Sequence, residues 1–201
     1  MFSVPYRTPL AVSCAAALLV ACSKGERAGD SARVTDSTAV AATATSAMTP
    51  TAPAMSDGNV LAMLDEANVA DSTTGSIAAA KGTSADVKAY GRDMMRDHHA
   101  LRVDGQDLAK KSNISPAMPA GDNTAARDKA LADSLTAMPR GAAWDKFYID
   151  HAVMHHQEVL AMAQNGMNAA QNADLKAMIA KASPIVQQHL DRAKQLQSRM
   201  Q

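Results

Sequence analysis

Four stretches of this chain repeat with the period of an amphipathic helix, and each carries one potential metal ligand near the middle of its apolar face. At roughly 100° per residue, His98 shares a face with Val87, Gly91, Met94, Leu101, Gly105 and Leu108, and His156 with Ile149, Val153, Leu160, Ala163 and Met167. His189 lies among Leu175, Met178, Ala182, Ile185, Ala193 and Leu196, and Asp71 among Val60, Leu64, Ala67, Thr74 and Ala78. A helix with one apolar face must bury it against another element. Four such helices packed together turn three imidazoles and a carboxylate towards one interior.

Start and stop signals place the helices. Ser56 and Asp57 can cap a first helix that runs to about Lys81, where Gly82 is the expected stop. Thr83 or Ser84 caps a second, reaching about Lys111, and Pro116, Pro119 and Gly121 then break the pattern. A short helix from about Thr124 to Ala137 precedes Pro139, Arg140 and Gly141, a third long helix runs from Ala142 to about Met167, and Asn172 opens the fourth. Pro184 lies inside that last helix and is expected to bend it. Short links join the first two long helices and the last two, whereas about 30 residues separate the second from the third. Two hairpins with one long crossover make a ferritin-like four-helix bundle, all-α, with a short extra helix in the crossover. The bundle is expected over residues 56–201.

The chain begins with Arg7 ahead of an apolar run over residues 10–20 that ends in Leu19, Val20, Ala21 and Cys22. This run is too short for a bilayer span, and small residues before a cysteine suit cleavage there. Residues 1–21 are therefore read as a lipoprotein signal and Cys22 as the lipidated N-terminus; an ordinary secretory signal is the alternative. Of the 2 cysteines, Cys14 would leave with the signal, so no disulfide remains. Ser23 resembles a signal for outer-membrane rather than inner-membrane retention in Gram-negative bacteria. The expected location is the cell envelope, facing the periplasm through a lipid anchor that does not span the membrane. Residues 22–55, rich in Ser, Thr, Ala, Gly and Pro, offer too little apolar surface to fold and read as a tether.

Lysine plus arginine number 20 and aspartate plus glutamate 20, with no basic run, so the electrostatic footprint of a nucleic-acid binder is absent. Apolar residues make up 47% but aromatic ones only 3%, so Ala, Leu, Val and 13 Met carry the core, which suits close-packed helices.

The run from Asp86, Val87, Lys88, Ala89 and Tyr90 to Met94, Met95, Arg96, Asp97 and His98 belongs to a wider pattern. With Trp144, Asp145, Lys146, Phe147, Tyr148, Ile149 and Asp150, the pair His155 and His156, and the closing Pro184, His189 and Leu190, it resembles the bacterial ferritin-like family known as domain of unknown function 4142. Asp71 stands where that family usually has glutamate, and His155 where it usually has aspartate. Residues 154–163 also resemble a second ferritin-like family with a Met-x-x-His-His-Gln signature, although Met154 here directly precedes the histidine pair. The resemblance implies a four-helix bundle in the cell envelope; it implies no reaction.

The residue types narrow the chemistry. A di-iron oxidase of the ferritin kind needs Glu-x-x-His pairs, but the residues three before His98, His156 and His189 are Met95, Val153 and Val186. Three neutral imidazoles and one carboxylate suit a single zinc or copper ion rather than a di-iron pair, and sulfur from Met94, Met162 or Met178 would favour cuprous copper. Zinc, copper and iron are the metals in question. His151 and His155, four apart, could chelate an ion with Asp150 on the flank or outside of the third long helix, beside Trp144 and Tyr148. Asp97 and His99 flank His98 and could orient a ligand. The competing reading is a bundle whose inward histidines only hydrogen-bond one another and fix the packing, serving as a structural or interaction module of the envelope. No Gly-x-Ser-x-Gly elbow and no free thiol point to nucleophilic catalysis. A binding module, the structural module and, last, a redox enzyme are the readings that remain.

Overall fold

The computed structural model describes residues 55–200. The expected lipoprotein signal, Cys22 and the expected tether up to residue 54 lie outside the described residues. Among the described residues there are five helices and no strand: α1 (Asp57–Lys81), α2 (Ala85–Lys111), α3 (Thr124–Ala137), α4 (Ala142–Ala169) and α5 (Ala173–Ser198).

The caps explain the boundaries. Ser56 Oγ accepts from Asn59 N while Asn59 Oδ1 accepts from Ser56 N, a reciprocal box at the start of α1. Ser84 Oγ accepts from Val87 N and Asn172 Oδ1 from Leu175 N, at the starts of α2 and α5. Gly82 ends α1, but not as the left-handed cap that a terminal glycine suggests: its φ is −48° and ψ 147°. Space is what demands glycine there, since a Cβ would come 2.7 Å from Ala78 O and 3.0 Å from Val87 Cγ1. Pro184 sits within an unbroken α5.

Helix α1 packs on α2 and α4 on α5, while α2 also meets α5 and α1 meets α4. Ties between the ends give the directions. Asp145, at the start of α4, accepts from Thr83 N and Ser84 N in the α1–α2 turn, at 2.7 and 2.8 Å. Asp57, at the start of α1, accepts from Gln171 N and Asn172 N in the α4–α5 turn, at 2.8 and 3.0 Å. Each long helix is thus antiparallel to both neighbours. The connection from α2 to α4 runs the length of the bundle. It leaves beside the start of α1, where Asn59 Nδ2 donates to Ala117 O, and arrives beside the end of α1, where Lys81 Nζ donates to the carbonyls of Leu135, Thr136 and Met138. Trp144 Nε1 donates to Leu135 O, and α3 lies against α1.

Glycine brings α1 and α2 close. A Cβ on Gly75 would lie 2.8 Å from Gly91 O, and one on Gly91 would lie 2.6 Å from Gly75 O. At one end of the bundle an apolar cluster gathers Tyr90, Trp144, Tyr148, Ile149 and Leu190; at the other, Val60, Leu61, Leu108, Leu175 and Ile179. Between them only the small cluster of Ala67, Val159 and Val186 continues the apolar core. The inward polar residues occupy that level.

Candidate metal centre

Asp71 of α1, His98 of α2, His156 of α4 and His189 of α5 are all buried, between 0% and 5% exposed. Helical periodicity aimed each inward, and packing brings three into one group: Asp71, His98 and His156 each offer a ligand atom lying within 4.8 Å of the others. The His189 ring adjoins them, its centroid 5.3 Å from that of His98 and 5.9 Å from that of His156. Its Nε2, however, lies 3.1 Å from Asp97 Oδ2.

Hydrogen bonds decide the histidine tautomers. His156 Nδ1 is 2.8 Å from Ala152 O; a carbonyl only accepts, so Nδ1 carries the proton and Nε2 keeps its lone pair. His98 Nδ1 faces Asn68 Oδ1 at 2.9 Å and Asp71 Oδ2 at 3.4 Å; with the Asn68 amide oriented so, Nδ1 is the donor. Both Nε2 atoms, together with Asp71 Oδ2, His155 Nε2 and His189 Nε2, are buried without a hydrogen-bond partner of good geometry. A histidine whose far nitrogen donates to a carbonyl while the near one is bare has the arrangement found in metal-ligating imidazoles.

Electrostatics keeps the group uncharged. Burial lowers His156 to about 3 and His155 to about 4, and pushes His98 well below the ordinary imidazole value, reinforced by His156 and His189 nearby. His189 is also lowered by burial, against the pull of Asp97 and Asp93. Asp71 is held well above the usual carboxylate range by burial and then by Asp128. With the His98 imidazole held neutral, its 3.4 Å approach to Asp71 is not an ion pair. Neutral imidazoles are the form that binds a metal, and the carboxyl binds as carboxylate, the form its burial disfavours.

The flanking residues divide. His155, expected on the flank or outside of its helix, is instead turned inward: its side chain is 12% exposed and its Nε2 lies 3.6 Å from Asp71 Oδ2. Trp144 and Tyr148, expected beside it, are fully buried in the core. On that side α3, packed on α1, bounds a cleft that Arg127, Asp128 and Leu131 line together with His151 and His155. Those two rings stack with centroids 5.6 Å apart. Asp150 does not join them; it accepts from Lys146 Nζ and Gln197 Nε2, contacts that hold its carboxyl low. His99 is exposed, whereas Asp97 meets His189. Met94 packs in the Tyr90 cluster and Met178 against the Leu175 cluster, and only Met162 of the three expected sulfur donors lines the space beside His155. Asn68, one turn before Asp71 on the same face, was not singled out; its polar side chain at that spacing was the available signal.

Fold and site together define an all-helical bundle with a buried Asp/His group that could hold a metal ion. The family described as "Domain of unknown function (DUF4142)" matches residues 42–196, and the chain belongs to it. No curated protein and no solved structure matches the chain.

Proposed function

We propose that this protein is an envelope-anchored, ferritin-like four-helix bundle that binds one transition-metal ion through Asp71, His98 and His156, with His189 as the fourth ligand. The observation that carries the reading is the set of buried ligand atoms without partners: Asp71 Oδ2 and the Nε2 atoms of His98, His155 and His156. A buried polar atom left unpaired costs about 1–3 kcal/mol. Unpaired nitrogens gathered around one buried carboxyl favour a cation over a core that only hydrogen-bonds itself. A cation satisfies several bare lone pairs at once.

The ferritin-like assignment is supported by four long helices, each antiparallel to its neighbours, and by the connection from α2 to α4 that runs their full length. With one carboxylate and no Glu-x-x-His pair, the group suits zinc or copper better than a di-iron pair. Storage, buffering or protection under metal stress is the proposed role. Lipidation at Cys22 and a tether over residues 22–55 would hold the bundle at the outer membrane, facing the periplasm. No helix among the described residues is long and apolar enough to cross a membrane.

Metal analysis of protein purified without a histidine tag tests the reading. One bound ion per chain, lost on changing His156 to Ala, is the expected result. Wild-type protein that binds neither zinc nor cuprous copper would leave the hydrogen-bonded core as the better account.

A further inference from the structure

The proposed ligands are too deeply buried for an ion to reach them directly from solvent, so any ion must pass through the surrounding wall. That wall thins where α3 crosses the groove between α1 and α4. A cleft of about 420 Å³ lies there, and the sulfur-bearing side chains of Met63, Met118, Met154 and Met162 line it. Met118 and Met154 are 36% and 50% exposed, so they are not filling gaps in a core, the usual task of methionine. His151 and His155 line the same cleft. His155 then reaches past it, with Nε2 3.6 Å from Asp71 Oδ2. One cleft therefore gathers thioethers, two of them on exposed residues, with two stacked imidazoles, the inner of which approaches Asp71.

We propose that this cleft is the loading route of the buried centre and that its methionines select cuprous copper. The inference rests on the metal-binding reading above and adds the path and the ion. Thioether sulfur is a soft donor that holds a cuprous ion well and a hydrated zinc ion poorly, whereas neutral imidazole accepts either. Asp128 and Glu158 in the cleft are set against Arg127 on the same wall, and such charge does not discriminate among cations. Selection therefore comes from sulfur. Transfer is a sequence of ligand exchanges in which copper stays cuprous throughout, so no electron donor or acceptor is required.

The test compares uptake rates with final occupancy in the full-length, tag-free protein. Cuprous ion is supplied from a coloured chelator complex, whose loss of absorbance reports transfer, and zinc is supplied in a parallel series. Changing Met63, Met118, Met154 and Met162 together to Leu keeps side-chain size but removes sulfur. The expected result is cuprous uptake slowed at least tenfold, an unchanged final occupancy of one ion, and an unchanged zinc rate. Because Met118 and Met154 are exposed, the double change of these two alone leaves the fold intact and should also slow uptake. Cuprous uptake as fast as wild type in both variants overturns the route, as does equal slowing of zinc. Lower final occupancy overturns it too, since the sulfurs would then be resident ligands. Wild-type protein that takes up neither ion rejects the binding reading itself, an outcome distinct from a variant that fills at the normal rate.

Discussion

Asp57 and Asp145 perform the same task at opposite ends of the bundle. Each stands in the first turn of a long helix, and each uses both carboxylate oxygens to accept two consecutive backbone N–H groups from the turn of the other hairpin. The reciprocity locks the hairpins in register, which is what brings Asp71 and His98 level with His156 and His189. Hydrogen bonds to a charged group contribute about 1.5–3 kcal/mol. Changing either residue to Ala should therefore lower the urea-unfolding free energy by roughly 2–3 kcal/mol, with the buried Asp145 the more costly loss. Asp145→Asn, which keeps one acceptor, should recover part of it. Equal midpoints for wild type and both Ala variants would show that the clamps do not hold the hairpins.

Metal should stabilise the fold. An ion present at about 100 times its dissociation constant adds roughly 2.7 kcal/mol, a rise readily seen by differential scanning fluorimetry. Asp71→Asn and His98→Ala should each reduce that gain, and His156→Ala should remove it. His99→Ala should retain it, because His99 is exposed. Loss of the gain in the His99 variant alone would move the site to the surface.

Acid should weaken the metal-free protein. In the unfolded chain the imidazoles titrate near about 6.5, whereas burial holds His156 at about 3 and His155 at about 4 when folded. Between those values the unfolded chain binds protons that the folded chain refuses. Stability from these groups is therefore complete above the unfolded value and is lost as pH falls towards the folded one. Asp71 acts in the opposite sense: its raised carboxyl makes folding costlier as pH climbs above the ordinary carboxylate value. Several depressed histidines outweigh that single carboxyl, so the urea midpoint in chelator should fall steadily from pH 7 to about 4.5. A midpoint that stays level or rises on acidification would contradict neutral buried imidazoles.

Changing Cys22 to Ser should release the protein from the membrane fraction, because the proposed anchor is a single lipidated cysteine. Fractionation in high salt and carbonate is the measurement. Retention of the substituted protein in the pellet would place the attachment elsewhere.

Much of this architecture was written locally. The 3.6-residue period of the apolar positions and the capping chemistry of Ser56, Ser84 and Asn172 depend on neighbours within one or two turns, and the helices begin where those residues stand. The inward direction of Asp71, His98, His156 and His189 followed from the same periodicity, since a residue in the middle of an apolar stripe has nowhere else to point. Distance in sequence marks where legibility stopped. The Asp57 clamp joins residues 115 apart and the Asp145 clamp residues 62 apart. His155 lies off the apolar stripe, and its approach to Asp71 depends on how α4 sits against α1, a distant part of the chain. Gly82 was readable as a stop but not as the point where Val87 leaves no room for a side chain. The sequence alone therefore determined which faces are apolar, where the helices end and which side chains enter the core. Only the tertiary structure decided which of those side chains meet and which tautomers they hold, because separations of a few ångströms arise from helices packing against helices.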